Sequence, residues 1–196
     1  MPERNSLFSP PVDQEMHGDA HNTFIQSSRL GITVSREGMA GLIKVKNGGR
    51  VEFVGKSNVA EALDAESSYN IKGFVGWASI HGAVGDIEGN IGVGHTSGNG
   101  ILFIRKSKEA GQEDTGNVDA MYAKDSRVII EGKATHVTSE KGGVVVVKGD
   151  IEEGIADGGR ILVGGKVKNK VVINGGYIRE GVFTPRNPQD QTPPQK

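Results

Sequence analysis

The chain has 196 residues, no cysteine, and a net charge of −1 from 23 basic and 24 acidic residues spread along its length. This charge pattern argues against a nucleic-acid partner, and the lack of cysteine excludes disulfides and thiolate chemistry. No apolar run approaches the roughly 20 residues that span a bilayer. Thirty glycines are about twice what an average share of roughly 7% would supply, which favours tight corners around a thin core.

Residues 1–28 are predicted to form an extended or disordered tail. The segment contains three prolines and no hydrophobic period, so it buries too little apolar surface to offset the entropy of ordering it. Leu7 and Phe8 form an apolar pair that would dock onto a protein partner or a membrane surface. Because stable membrane attachment usually needs two signals, we do not expect this pair to anchor the chain.

The same tail contains His17, Asp19 and His21, which alternate within HGDAH. In an extended strand these side chains would face one side, and imidazole with carboxylate suits zinc or another divalent ion. No fourth ligand follows nearby, and the intervening glycine and alanine leave the backbone loose. We therefore favour a solvated polar tail and expect no metal.

The folded domain is predicted to cover residues 29–183, beginning where RLGITV alternates Leu30, Ile32 and Val34. Two apolar strands then flank Gly48–Gly49, which could be a hairpin turn or a corner of a coil. The later double glycines recur at a fixed spacing, and this favours the corner.

Two segments interrupt the alternation and are predicted to be insertions. Residues 56–68 combine acidic side chains with a helical spacing of apolar residues, which indicates a short helix or loop projecting from the coil. Residues 105–126 are rich in charge and show no alternation, which indicates a solvated excursion. Between and after them, apolar residues recur every two to four positions. Residues 184–196 contain four prolines and are predicted to be a polar tail that ends the fold.

The stretch 142–183 carries the clearest period. Its double glycines begin at Gly142, Gly158 and Gly175, and the short clusters between them alternate β-branched residues. A fixed period with glycine at each corner is typical of a β-solenoid, whose single turns cannot bury their apolar faces alone. The sequence therefore predicts an all-β, single-chain triangular β-solenoid of about seven turns. The side chains predicted to face inward are Val145, Val147, Ile161, Val163, Val171 and Ile173.

These features resemble the bactofilins, a family of bacterial polymer-forming cytoskeletal proteins. GDIEGNI at 85–91 resembles the cadence of that family's turns, and RILVGGKVKNKVVINGGYI at 160–178 is similar to its repeats of strand, glycine and strand. The resemblance implies a triangular β-helix that polymerises end to end without nucleotide and acts as a scaffold. By that analogy, the contacts between subunits are the apolar residues of the terminal turns: Leu30, Ile32 and Val34 at one end, and Ile178, Val182 and Phe183 at the other.

Enzymatic alternatives rest on isolated residues. IGVGH at 91–95 faintly resembles the hexapeptide repeat of acyltransferases, in which His95 would be the general base. His81, His95 and His136 have no carboxylate partner that the sequence identifies, and Asp86 with Glu88 is most simply a solvated strand face. We therefore expect no catalytic residues and no cofactor.

The sequence predicts a non-enzymatic structural protein whose partner is itself, with the tails available to a protein partner. The alternative is a virion or appendage β-helix, such as a spike or decoration protein, whose tails bind neighbouring subunits. No signal-peptide pattern precedes the fold, so we expect a cytoplasmic protein, or a virion protein under the alternative.

Overall fold

The computed structural model describes residues 24–27, 33–108 and 114–181, and these contain strands and no helix. The strands are β1 (Phe24–Ser27), β2 (Thr33–Lys46), β3 (Arg50–Leu63), β4 (Ser68–His81), β5 (Val84–Ser97), β6 (Ile101–Arg105), β7 (Val118–Lys124), β8 (Arg127–Ile130), β9 (Ala134–Glu140), β10 (Val144–Val147), β11 (Ile151–Asp157), β12 (Arg160–Val163), β13 (Val167–Ile173) and β14 (Tyr177–Arg179).

The strands wind into a β-solenoid of about eight turns. Every pairing between named strands is parallel, and each strand lies beside the equivalent strand of the next turn. Val128 pairs with Val145, Val145 with Ile161, and Ile161 with Ile178, which gives steps of 17, 16 and 17 residues. The predicted fold class is thus confirmed, with a period close to the one read from the glycine pairs and about one turn more than expected.

Each turn has three corners. Each turn opens with a short strand segment, which we call the first side, and the first corner follows it. The first sides are the starts of β2–β5 and the whole of β6, β8, β10, β12 and β14. The second corner interrupts the pairing ladder, for example at Asn58, Gly76 and Gly92. The third is the loop that closes the turn and leads to the next first side.

Alternate side chains point inward and stack in columns along the axis. On the first side, one column runs through Leu102, Val128, Val145 and Ile161, all fully buried. The stacked valines and isoleucines form one continuous cluster through the rod. Because burying each such side chain contributes about 1.5–3 kcal/mol, this thin core accounts for the stability of the fold. The predicted inward residues Val145, Val147, Ile161 and Val163 are confirmed as buried.

A glycine occupies the first corner of eight successive turns. Gly55 has φ +139°, and a Cβ built on it would overlap the carbonyl oxygen of Gly38 in the turn below. Further along, the Gly132 N–H donates to the Gly116 carbonyl and the Gly149 N–H to that of Gly132, both at 2.9 Å. We call the whole set the glycine ladder: Gly38, Gly55, Gly73, Gly89, Gly116, Gly132, Gly149 and Gly165.

The double glycines form the third corner, as predicted. At Gly158–Gly159 the first glycine has φ +66°, and a Cβ on the second would overlap Ser139 of the turn below. Gly48–Gly49 joins β2 to β3, which pair in parallel, so this turn is a corner and the hairpin alternative is wrong.

The predicted insertion at 56–68 is wrong for most of its length. Residues 56–63 belong to β3, with Ser57, Ala60 and Ala62 buried, and only Asp64–Ser67 form a loop. The interior residues here are serine and alanine, so the period-two alternation was invisible to a reading based on large apolar side chains.

The other predicted boundaries also move. The excursion predicted at 105–126 is shorter than expected, because β6 extends to Arg105 and β7 begins at Val118. Met121 and Ala123 of β7 are buried. Within the predicted N-terminal tail, β1 pairs in parallel with Leu42–Val45 of β2, so winding begins earlier than residue 29. The predicted C-terminal tail lies outside the described residues.

Candidate self-association site

The C-terminal end of the solenoid exposes apolar residues of its last turn. Val172 continues the inward column of Ala156, yet Val172 is 50% exposed whereas Ala156 is fully buried, because no described residue covers it. Val171 and Ile173 are also exposed, but they lie in outward positions. The prediction that Val171 and Ile173 face inward is therefore wrong by one position, because Val172, which lies between them, is the residue that faces inward.

A charged clamp covers another part of this end. Lys170 occupies the column of the buried Gly154, and its Nζ donates to Glu180 Oε2 at 2.7 Å. Glu180 Oε1 also accepts a hydrogen bond of 2.6 Å from the Val167 N–H. The hydrogen bond from Lys170 is the main cause that holds the pKa of Glu180 below its ordinary value. The end is thus partly capped by an ion pair and partly open.

Ile178 lies at the same end, on β14. It pairs with Ile161 and packs partly buried against the core, so it covers one edge of the last complete turn. Its role in self-association stays a prediction, and Val182 and Phe183 lie outside the described residues.

The N-terminal end is covered only in part. β1 pairs with Leu42–Val45 near the end of β2, and the β1 residues Ile25 and Ser27 are buried. Among the described residues, no strand pairs with the other edge of β2 from Thr33 to Gly41. Val34 lies on this uncovered portion, in register with Val51. The other residues predicted for this end and for tail docking, Leu7, Phe8, Leu30 and Ile32, lie outside the described residues.

The three histidines of the solenoid lie at separate places on its outer surface. His95 stacks on Tyr122, with ring centroids 5.0 Å apart. Tyr122 donates a 2.5 Å hydrogen bond to Glu140, which together with burial raises the pKa of the tyrosine to about 12. His136 Nε2 lies 3.4 Å from Glu153 Oε2, a carboxylate partner that the sequence reading missed because it sits one turn away.

Several carboxylates of the outer surface bind cations or backbone amides of adjacent turns. Asp86 Oδ1 accepts a hydrogen bond of 2.9 Å from Arg105 Nε, and Glu88 accepts one of 3.1 Å from the Lys108 N–H. A second pair joins Lys148 Nζ to Glu131 at 2.7 Å, and this hydrogen bond is the main cause that lowers the pKa of Glu131. Exposed pairs of this kind are worth about 0–1 kcal/mol each, so they adjust stability and do not form a reaction centre.

The described part of the chain contains no cluster of metal ligands. In these residues, no group of three or more histidine, aspartate or glutamate side chains is placed to hold a metal ion. The metal alternative at His17, Asp19 and His21 lies outside the described residues. A groove of about 600 Å³ runs along the third corner, and its lining includes four glycines together with Arg127 and Arg160.

The described residues contain no helix that could cross a membrane. No protein-family model, curated protein or solved structure matches the chain.

Proposed function

We propose that this chain is a non-enzymatic structural protein that assembles with copies of itself through the ends of its β-solenoid, as in a bactofilin-like scaffold. One observation carries the proposal: Val172 lies in a core column and is half exposed at the C-terminal end. A residue in such a position gains the most from being covered by another turn.

Physical chemistry supports growth at this end. No described strand pairs with the second edge of β13, and an unpaired strand edge of this kind pairs readily with another strand. A docking turn would extend the columns of stacked side chains without new geometry, because every turn already repeats the same three corners. The clamp of Lys170 and Glu180 would limit the contact to the part of the end around Val172.

The contacts of the three histidines are the observation behind the non-enzymatic part of the proposal. Enzymatic clefts gather nucleophiles, bases or metal ligands within a few ångströms of each other. Here His81 contacts Ser97, His95 stacks on Tyr122, which donates to Glu140, and His136 lies beside Glu153. Each imidazole thus contacts the residue beside it in the next turn.

Electron microscopy and sedimentation of a matched pair of variants test the proposal. Val172→Lys places a charge in the uncovered column, whereas Val54→Lys places the same charge at a lateral position of similar exposure, 47%. We expect wild type and Val54→Lys to form filaments, and Val172→Lys to remain in short species with an unchanged circular dichroism spectrum.

Filaments of Val172→Lys that match wild type in length and number would contradict growth through this end. Closed trimers or lattice arrays of the wild type would instead favour the virion or appendage alternative.

A further inference from the structure

One outer face of the solenoid carries a stripe of apolar residues in its C-terminal half. The first sides of four consecutive turns read ILFI, RVII, VVVV and RILV, at 101–104, 127–130, 144–147 and 160–163. Parallel strands buried on both faces read as continuous apolar runs, whereas strands with one solvated face alternate. In a single copy only the inner residues of these strands meet the core. We call the outward residues the outer apolar face: Ile101, Phe103, Ile129, Val144, Val146 and Leu162.

The fold itself does not require this apolar face. Earlier turns place Glu52, Asn70 and Asp86 in the same outward column that later carries Phe103 and Ile129. Those earlier strands have the same inward columns and the same parallel pairing. In this one outward column the apolar residues are therefore found only in the later turns, where the partly exposed Phe103, Ile129, Val146 and Leu162 form a continuous stripe.

Charges flank this stripe in a self-complementary way. Arg127 and Glu131 lie two residues to either side of Ile129, so within this turn one side of the stripe is positive and the other negative. Arg105 and Lys148 lie on the same side as Glu131, in the turns before and after it. Arg127 is exposed, and its guanidinium has no hydrogen-bond or ion-pair partner among the described residues. Glu131 accepts from Lys148 Nζ and from the Lys106 N–H, which leaves capacity on its four lone-pair sites.

We propose that the outer apolar face binds the same face of a second copy, with a two-fold axis parallel to the solenoid axis and passing along the column of Phe103, Ile129, Val146 and Leu162. This rotation exchanges the two edges of the face. Arg127 of each copy then faces Glu131 of the other, twice per dimer. The apolar column residues face their own equivalents, as an isologous interface requires.

The charges also select this orientation. A two-fold axis along the strands would keep each edge opposite itself. Arg127 and Arg160, which lie on the same edge, would then approach the identical edge of the second copy. On the other edge the same axis would bring Glu131 near Lys148 of the second copy, but Glu131 already has Lys148 as a partner within its own copy. Arg127 gains a carboxylate partner only when the two rods are parallel, so the parallel arrangement is preferred.

The contact is small, and its size predicts its strength. Four turns at about 4.8 Å and about five residues at 3.3 Å give a footprint of roughly 300 Å² per copy. Standard interfaces bury about 800 Å² per partner, so one such contact is a weak, concentration-dependent dimer. If copies also stack end to end, the contact repeats along the filament and lateral pairing becomes strong through effective concentration. The pairing itself does not depend on end-to-end growth.

Two single variants test the axis directly. Arg127→Glu sets two glutamates against each other across the axis, and Glu131→Arg sets two arginines against each other. Mixing the two variants at equal concentration restores opposite charges at both contacts of a heterodimer. All proteins carry Val172→Lys as background, so that end contacts do not enter the measurement, which is sedimentation equilibrium together with native mass spectrometry.

We expect each single variant to raise the dimer dissociation constant by about tenfold, and the mixture to return within about threefold of the parent. Arg50→Glu is the matched control, since Arg50 lies on the same edge several turns earlier, beyond the apolar face. It should leave dimerisation unchanged.

A mixture that dimerises no better than the single variants would overturn the proposed axis. If the parent protein stays monomeric at high concentration, the proposal that a second copy binds the outer apolar face is wrong. Because the chain has no cysteine, Val146→Cys with a short bis-maleimide gives a separate readout. A link between two copies supports the interface, and a face that remains freely reactive at high concentration counts against it.

Discussion

The two halves of the solenoid build the same interior with different strands. In the N-terminal half, β2 to β5 each run 14 residues without a break. In the C-terminal half, each turn divides into a first side of four or five residues and a second strand of seven, as in β10 and β11. Inward columns nevertheless pass through both halves in register.

The corner between the strand segments explains the difference. In the N-terminal half, glycines with positive φ such as Gly55 and Gly73 continue the pairing ladder around the bend. In the C-terminal half, side chains take over part of that bonding: Asn117 Oδ1 accepts from the Lys133 N–H and Asp150 Oδ1 from the Lys166 N–H, both at 2.8 Å. Backbone groups must find partners at every corner, and the two halves use two solutions. The inward columns define the fold, and the outward residues are free to differ.

Neighbouring valines on one strand offer the sharpest way to separate these roles. Val147 is fully buried and Val146 faces outward. Val147→Asp places an unpaired carboxylate in the core and should lower the free energy of unfolding by about 4 kcal/mol or more. Val146→Asp should change it by less than about 1 kcal/mol while weakening lateral dimerisation. Urea denaturation monitored by circular dichroism measures both, and equal losses would contradict the assignment of faces.

The glycine ladder can be divided into its two physical contributions. Gly73→Ala combines a positive φ with overlap between the new Cβ and the Gly55 carbonyl, whereas Gly38→Ala has positive φ with nothing within 4 Å. We expect a loss of about 3 kcal/mol or more for Gly73→Ala and about 1–2 kcal/mol for Gly38→Ala. Thermal unfolding of both variants provides the measurement. A cost for Gly38→Ala as large as that for Gly73→Ala would mean that backbone strain alone explains the ladder.

The sequence predicted the solenoid because its period survives in the double glycines and in residues such as Val145 and Ile161. It could not locate interior positions filled by small side chains, and this is why β3 was partly mistaken for an insertion. Gly85 illustrates the limit, since it stands in an inward column where a Cβ would overlap the ring of Tyr69. Predicting the contact between His136 and Glu153 also required the register between adjacent turns, which the spacing of residues along the sequence does not give.

The same limit applies to the ends. Terminal apolar residues could be named from the sequence, but the uncovered position, Val172, depends on which residues of the last turn point inward. The sequence could not predict the clamp between Lys170 and Glu180 for the same reason. The two residues meet only because β14 pairs with β12 and so places Glu180 beside the start of β13.

Acid titration of the clamp between Lys170 and Glu180 gives the smallest expected effect. It tests whether this part of the C-terminal end is capped in solution, whereas Val172 marks the part that is exposed. The pKa of Glu180 is lowered in the folded protein, so its contribution to stability is present above the unfolded pKa and is lost as the pH falls through the lower folded value. The amide of Val167 donates to Glu180, so its NMR chemical shift should titrate with a midpoint below the ordinary glutamate value of 4.5. Glu180→Gln should abolish this titration while leaving the amides of the interior strands unchanged. A midpoint at or above the ordinary value would mean that the clamp does not form in solution, and the open area at the end would then be larger than the exposed surface around Val172.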